Sequence, residues 1–125
     1  MATILAVTSL ELPQEQEEQL KQTIMTDLAT MYKHALSVYL TKLPHSDCRG
    51  GAIDQITFFV CVPPYISIEK KRETIVLLNE AVKKVVPNMG EMKNIVLFQY
   101  HADDGVGKDG ELFADIKARQ AAEQK

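Results

Sequence analysis

Hydrophobic and polar positions along this chain alternate between two patterns. Short apolar runs, typical of buried strands, alternate with longer segments in which apolar residues recur every three or four positions, as in amphipathic helices. These patterns predict, in chain order, a strand at 3–7, a helix at 13–35, a strand at 36–40, a strand at 56–62, a helix at 67–86 and a strand at 94–100. The last three elements repeat the order of the first three, so the sequence predicts a duplicated β-α-β unit.

Each predicted helix has one apolar face, which is the pattern of a helix packed on a sheet. Ser67 is placed to cap the second helix at its amino end, and Pro87 stops it. The apolar faces consist of Leu20, Ile24, Leu28, Met31 and Ala35 in the first helix, and of Ile75, Leu78, Val82 and Val85 in the second.

The strands at 56–62 and 94–100 are apolar at nearly every position. We expect Cys61, in the first of them, to behave as a small buried hydrophobe. Strands of this composition are usually buried on both faces of a sheet. Two helices cover only one face of a four-stranded sheet, so the other face needs a further cover. Self-association is its simplest source, and we expect it here.

The chain has the length of one domain, spanning 1–125. Its two pseudo-repeats, 2–43 and 54–101, are joined by a polar segment that contains Gly50 and Gly51. The tail, 102–125, is rich in turn residues at first. We expect residues 112–116 to form a short strand that crosses to another subunit, followed by a polar, helix-prone end.

Composition narrows the class of protein. A hydrophobic content of 46% and a charged content of 25% are ordinary for a globular protein. The net charge of −3 argues against a nucleic-acid partner. No apolar run approaches the ~18 residues of a membrane helix, and no leader segment is visible, so we expect no membrane partner and a cytoplasmic location. No metal-ligand cluster or phosphate loop is visible, which predicts a protein without metal or cofactor.

Two α+β architectures have this order of elements: a ferredoxin-like sandwich, and a four-stranded sheet with two helices on one face. The segment VYLTKLP at 38–44, followed by Gly50 and Gly51, resembles the second strand and glycine loop of the tautomerase superfamily. The segment IVLFQY at 95–100, followed by Gly105, Val106 and Gly107, resembles macrophage migration inhibitory factor, a member of that superfamily, as is 4-oxalocrotonate tautomerase. As a pattern of elements, the resemblance covers residues 2–115.

The resemblance implies a homotrimer of cofactor-independent subunits that isomerise a small keto or enol acid. Tautomerases typically use an N-terminal proline as the base, and this chain departs from that pattern because it begins Met1-Ala2-Thr3. Removal of Met1 would leave the primary amine of Ala2 as the catalytic base. An ordinary α-amino group has a pKa of about 7.7–8.0, and burial lowers it, so this amine can work near neutral pH.

The same resemblance places five substrate-binding candidates around the pocket. Lys33 ends the first helix, where many tautomerases have a lysine, and Lys108 follows the Val-Gly step. Arg49 has the planar fork that binds a carboxylate. Tyr39 and Tyr100 lie on strands from which they could reach a pocket at a subunit boundary. For each of these residues an ordinary role in a helix end, a loop or the core stays open.

Two further residues of one loop, His101 and Asp103, suggest a proton-transfer pair, although such pairs are common by chance. The functional hypotheses are therefore three. The first is an isomerase that uses the N-terminal amine, and the second is an inactive tautomerase-fold module for binding or assembly, favoured by the missing proline. The third is a ferredoxin-like ligand-binding domain.

Overall fold

A computed structural model of the protein describes residues 2–33, 36–44, 48, 55–86 and 92–124. Its main body is one mixed four-stranded sheet with two helices. The strands are β1 (Ala2–Thr8), β2 (Leu36–Lys42), β3 (Gln55–Val62) and β4 (Lys93–Tyr100), and the helices are α1 (Gln14–Leu28) and α2 (Ile68–Val85). The predicted order of strands and helices is confirmed.

The sheet topology distinguishes the two predicted architectures. The strand order is β2-β1-β3-β4, in which β1 and β2 are parallel, β3 and β4 are parallel, and β1 and β3 are antiparallel. Each helix thus connects two strands that are direct neighbours. A ferredoxin-like sandwich contains a split βαβ unit, in which another strand lies between the two connected strands. The ferredoxin-like alternative is therefore wrong, and the predicted pair of β-α-β units in one sheet is confirmed.

The core lies between the sheet and the two helices, which pack on one face of the sheet and against each other. Alternate residues of β1 and β3 face this core because successive side chains of a strand point to opposite faces. The fully buried side chains from the strands include Ile4, Ile56, Phe58 and Val60, and those from the helices include Leu20, Ile24, Leu28, Leu78 and Val82.

Helix α1 is shorter than predicted, since it ends at Leu28 and not at residue 35. The carbonyl oxygen of Leu28 accepts hydrogen bonds from the backbone N–H groups of both Met31 and Tyr32, at 3.1 and 3.0 Å. Sharing one carbonyl in this way tightens the last turn and ends the helical ladder. Met31 lies in the turn after α1 and still packs against the core. The apolar stripe predicted for the first helix therefore extends past the last residue of α1.

Helix α2 begins as predicted, because the Ser67 hydroxyl accepts a hydrogen bond from the Lys70 N–H at 3.1 Å. A polar contact joins α2 to the end of α1: the Tyr32 hydroxyl and the buried Thr74 hydroxyl are 2.7 Å apart. The Lys70 ammonium lies 4.8 Å from the centre of the Tyr32 ring. Among the described residues, no helix is long and apolar enough to cross a membrane.

Because Tyr32 is partly buried, we expect the folded protein to lose stability at alkaline pH. Burial raises the pKa of the Tyr32 hydroxyl above its usual 10.0, and the hydrogen bond with Thr74 only partly opposes this. The unfolded chain therefore gives up this proton first, and the free energy of unfolding falls as the pH rises from about 10 towards the raised pKa. In urea titrations at pH about 8 and about 11, we expect Tyr32→Phe to lose less stability between the two pH values than the wild type.

The matched control for this prediction is Tyr65→Phe, at a ring that is 74% exposed. It should lose as much stability between the two pH values as the wild type does. An equal loss in Tyr32→Phe would show that titration of Tyr32 is not responsible. At the lower pH, Tyr32→Phe should be less stable than the wild type by about 1 kcal/mol, because the contact with Thr74 is lost.

The sheet face opposite the helices, which we call the open face, has an apolar row across all four strands. The strand register places Tyr39, Leu5, Phe59 and Leu97 side by side. Of these side chains, Leu5, Tyr39 and Leu97 are 37%, 57% and 46% exposed. Neither helix covers this row, as the apolar pattern of the strands predicted.

The tail differs from the prediction. Residues Phe113–Glu123 form a third helix, α3, and Leu112 belongs to a two-residue strand, β6 (Glu111–Leu112), which pairs with β5 (Gly107–Lys108) of the same chain. The predicted strand at 112–116 is therefore wrong. Asp109 and Gly110 turn the chain tightly between β5 and β6 with φ angles of 53° and 84°. Gly110 adopts this left-handed conformation without steric cost because it lacks a Cβ atom.

Candidate functional site

A pocket of about 440 Å³ opens at one end of the sheet. It lies where β3 and β4 end and β1 begins, because β1 runs antiparallel to β3 and Thr3 is paired with Cys61. The sheet and the loop after β3 contribute one wall, which consists of Thr3, Cys61, Val62, Pro63 and Tyr65. The pocket therefore includes the residue directly after Ala2.

Cys61 was predicted to be a buried core residue, and this prediction is wrong. Its side chain is half-buried on the open face and lines the pocket, while its neighbours Val60 and Val62 face the core. The Cys61 thiol donates a hydrogen bond to the side-chain oxygen of Gln99 at 3.5 Å. The sequence of β3 does not reveal this difference in burial, because its residues are apolar on both faces whereas helices cover only one face.

The second wall of the pocket comes from the tail. A short 3₁₀ turn at Asp103–Gly105 leads into β5, and α3 follows the β5–β6 hairpin. The Phe113 N–H donates to the Val106 carbonyl at 2.7 Å, which fixes the first turn of α3 beside the 3₁₀ turn. This wall consists of Asp103, Gly105, Val106, Gly107, Phe113 and Lys117.

Lys117 is held within this wall by two contacts. Its ammonium nitrogen lies 3.2 Å from each carboxylate oxygen of Asp103. The same nitrogen lies 5.0 Å from the centre of the Phe113 ring, a cation–π contact across one helical turn. The ammonium, the carboxylate and the ring thus form one cluster at the surface of the pocket.

His101 lies between the two walls. Its backbone N–H donates to the Val62 carbonyl at 2.9 Å and extends the pairing of β3 with β4 by one residue. Its side chain is exposed and lines the pocket together with Asp103. The predicted pair of His101 and Asp103 therefore shares one pocket, but the Asp103 carboxylate is bonded to Lys117.

A bidentate ion pair fastens α3 to the hairpin. The two guanidinium nitrogens of Arg119 lie 2.6 and 3.2 Å from the carboxylate oxygens of Glu111. Hydrogen bonding and charge from Arg119 lower the pKa of the Glu111 carboxyl, and Glu111 raises the pKa of the guanidinium in turn. This pair supports the tail wall from outside, since neither residue lines the pocket.

The structure places three of the predicted site residues at the sheet. Ala2 starts β1, is 1% exposed and is paired with Leu36. Lys33 is exposed in the turn after α1, three residues before Leu36, and therefore lies towards the same end of the sheet as Ala2. Tyr39 is the central residue of the edge strand β2, and its side chain belongs to the open face. None of Ala2, Lys33 and Tyr39 is among the residues that line the described pocket.

Of the other three predicted site residues, the structure describes two. Tyr100 ends β4, and the Lys71 ammonium of α2 lies 4.8 Å from the centre of its ring, so this ring packs beside α2. Lys108 is exposed on β5, next to Gly107 of the pocket wall. Arg49 lies outside the described residues.

Sequence reasoning missed Tyr65, Phe113 and Lys117. The spacing of Phe113 and Lys117, four positions apart in a segment rich in alanine, glutamine and lysine, was the available signal for a shared helix face. The prediction of a strand at 112–116 left this signal unused. In the part of the chain that the structure describes, no group of three His, Cys, Asp or Glu side chains is arranged to hold a metal ion.

Comparison with known proteins identifies the fold of this chain. The sequence matches no protein-family model and no curated protein. A structure described as Pt0534 inactivated by 2-oxo-3-pentynoate is similar over 94% of this chain and 99% of that chain, with a TM-score of 0.75 at 15% identity. A fused 4-OT symmetric trimer is similar over 90% and 98%, with a TM-score of 0.77 at 12% identity. A macrophage migration inhibitory factor-like protein from Entamoeba histolytica is similar over 88% and 96%, with a TM-score of 0.68 at 13% identity.

These similarities extend over nearly the whole of each chain. They agree with the observed sheet order and with the helices on one face of the sheet. The protein therefore has the tautomerase fold, as the sequence resemblance predicted. At such low identity the similarity defines the fold alone.

Proposed function

We propose that this protein is a cofactor-independent isomerase that moves a proton on a small keto or enol acid. The main support is the pocket at the start of β1, in which Thr3, the residue after Ala2, forms part of the wall. One similar structure is described as inactivated by 2-oxo-3-pentynoate, a small keto acid. The pocket volume of about 440 Å³ is within the usual range for small-molecule sites.

In this proposal the base is the α-amine of Ala2, exposed by removal of Met1. The amine takes a proton from the carbon next to the substrate carbonyl. The electrons of the broken C–H bond form the C=C bond of the enol, and the C=O π electrons move onto oxygen. This oxygen takes a proton from water, and the resulting hydroxide takes the proton from the ammonium, which restores the amine. The reverse reaction returns the proton from the amine to carbon. A low-polarity environment at the start of β1 would favour the neutral, basic amine, because such an environment disfavours the charged form.

We further propose that the protein is a homotrimer that packs through its open face. The apolar row on that face has no helix to cover it, and one of the similar structures is a symmetric trimer. Thr3 and Cys61 belong to the same face, at the end that forms the pocket. A neighbouring subunit would therefore approach the pocket, where Lys33, Tyr39, Arg49, Tyr100 and Lys108 remain candidates for binding the substrate.

A second function is favoured by one observation, which is the alanine at position 2. A tautomerase fold without the usual N-terminal proline could serve as a binding or assembly module. In that case the pocket would hold a ligand without converting it.

The experiment that separates the two functions measures ketonisation of enol phenylpyruvate by ultraviolet absorbance. The isomerase proposal predicts turnover by the wild type and faster turnover by Ala2→Pro, because a secondary amine is the stronger base. Mass spectrometry of the purified protein establishes whether Met1 is absent, as the mechanism requires. Retention of Met1 would exclude the Ala2 amine as the base. Lack of turnover by both proteins would reject the isomerase in favour of the binding module.

A further inference from the structure

Lys117 is the only lysine or arginine among the described residues that line the pocket. The lysines suggested by the sequence, Lys33 and Lys108, lie outside that lining. We infer that Lys117 of α3 binds the carboxylate of the substrate, and that the negative charge of Asp103 beside the same ammonium limits the affinity. This inference rests on the proposed function, because it names the group that recognises the acid.

The geometry prepares Lys117 for this role. A free lysine side chain loses much conformational freedom when it binds an anion. Here the Phe113 ring and the Asp103 carboxylate already hold the ammonium, at 5.0 and 3.2 Å. Much of the cost of ordering the side chain is thus met before a ligand arrives, which is the usual benefit of preorganisation.

The ammonium also has capacity for a second anion. It carries three N–H donors, and the contacts with Asp103 engage at most two of them. The Lys117 side chain is 43% exposed, so its free donor is not enclosed by protein. A small carboxylate in the pocket can therefore bind the ammonium without displacing Asp103.

Asp103 has the opposite effect on the electrostatics. Its negative charge neutralises Lys117 and would repel a second carboxylate at the same nitrogen. The apolar remainder of the pocket, including Pro63, Val106 and Phe113, suits the carbon skeleton of the ligand. The arrangement therefore predicts weak, reversible binding of small acids that are part apolar and singly charged.

The test measures binding directly and does not depend on turnover. Pyruvate is titrated into the protein, and the backbone amide signals of Gly105 and Gly107 in the pocket wall are followed by NMR. We expect Lys117→Gln to raise the Kd for pyruvate about fivefold, the upper range for a partly exposed ion pair. Lys117→Arg keeps the charge and should restore binding. Methyl pyruvate, which has no charge, should bind wild type and Lys117→Gln alike.

Lys83→Gln is the matched control. It makes the same substitution on α2, where Lys83 is 54% exposed, pairs with Glu80 at 3.6 Å and does not line the pocket. We expect its Kd for pyruvate to equal that of the wild type. An equal rise in Kd in Lys83→Gln and Lys117→Gln would overturn the inference, because it would show a general effect of charge.

Asp103→Asn tests the effect of this neighbouring charge and keeps a side chain of nearly the same size. Removal of the charge should lower the Kd for pyruvate about threefold. An unchanged or higher Kd in this variant, or an unchanged Kd in Lys117→Gln, overturns the inference. Turnover of phenylpyruvate with an unaffected Lys117→Gln would leave the proposed isomerase standing. Binding through Lys117 without any turnover would reject the isomerase and keep the inference.

Discussion

Replacement of Phe58 by alanine is expected to lower the free energy of unfolding by about 4 kcal/mol, since large-to-small changes of buried phenylalanine typically cost 3–5 kcal/mol. Phe58 is fully buried in the middle of β3. Its Cα partners are Ala6 on β1 and Val96 on β4. Because Ala6 is small, the neighbouring strand offers little side-chain volume to fill the space left by the ring.

The measurement is urea unfolding followed by circular dichroism, with all proteins at one concentration because self-association would make stability concentration-dependent. Phe59→Ala is the matched control, since it removes the same ring from the next residue, on the open face. In the separated subunit it should cost much less than Phe58→Ala. Equal losses in the two variants at a concentration where only monomer is present would contradict the assignment of the core face.

The sequence predicted the sheet and its two helices because the helices show the 3.6-residue period and the strands are short apolar runs. In β3, the alternation of Ile56, Phe58 and Val60 with other residues sets which side chains reach the helices. The duplicated order limited the architectures to two. The choice between them depended on which strands are neighbours, a long-range property that no local pattern contains.

The tail was harder to predict because its order comes from contacts between segments. The Phe113 N–H bonds to Val106, and Glu111 binds Arg119 eight residues later. These contacts favour a hairpin and a helix where the short apolar run at 112–116 suggested a strand. Tertiary contacts commonly override local propensity in this way.

The candidate site was predicted only in part for the same reason. Ala2, His101 and Asp103 were candidates from the sequence, and the structure brings His101 and Asp103 into one pocket with Thr3, the neighbour of Ala2. Lys117 joins them only because α3 folds back over the 3₁₀ turn. A lysine near the end of a polar tail gives no sign of that placement by itself.

The second large prediction concerns the open face. Leu97→Glu is expected to convert a trimer of 14.0 kDa chains into monomers. Leu97 belongs to the apolar row with Phe59, Leu5 and Tyr39 and is 46% exposed in the separate subunit. In the proposed trimer that row is buried, and a carboxylate placed there without a partner costs several kcal/mol. The cost is repeated at each of the three symmetry-related interfaces.

Light scattering after size-exclusion chromatography measures the result. Val76→Glu is the matched control, because Val76 is 57% exposed on α2, away from the sheet. This variant should keep the molar mass of the wild type. A trimer that persists in Leu97→Glu would show that the open face is not the interface. A monomeric wild type would reject the trimer itself, and the apolar row would then require a different partner, because nothing in the described part of the chain covers it.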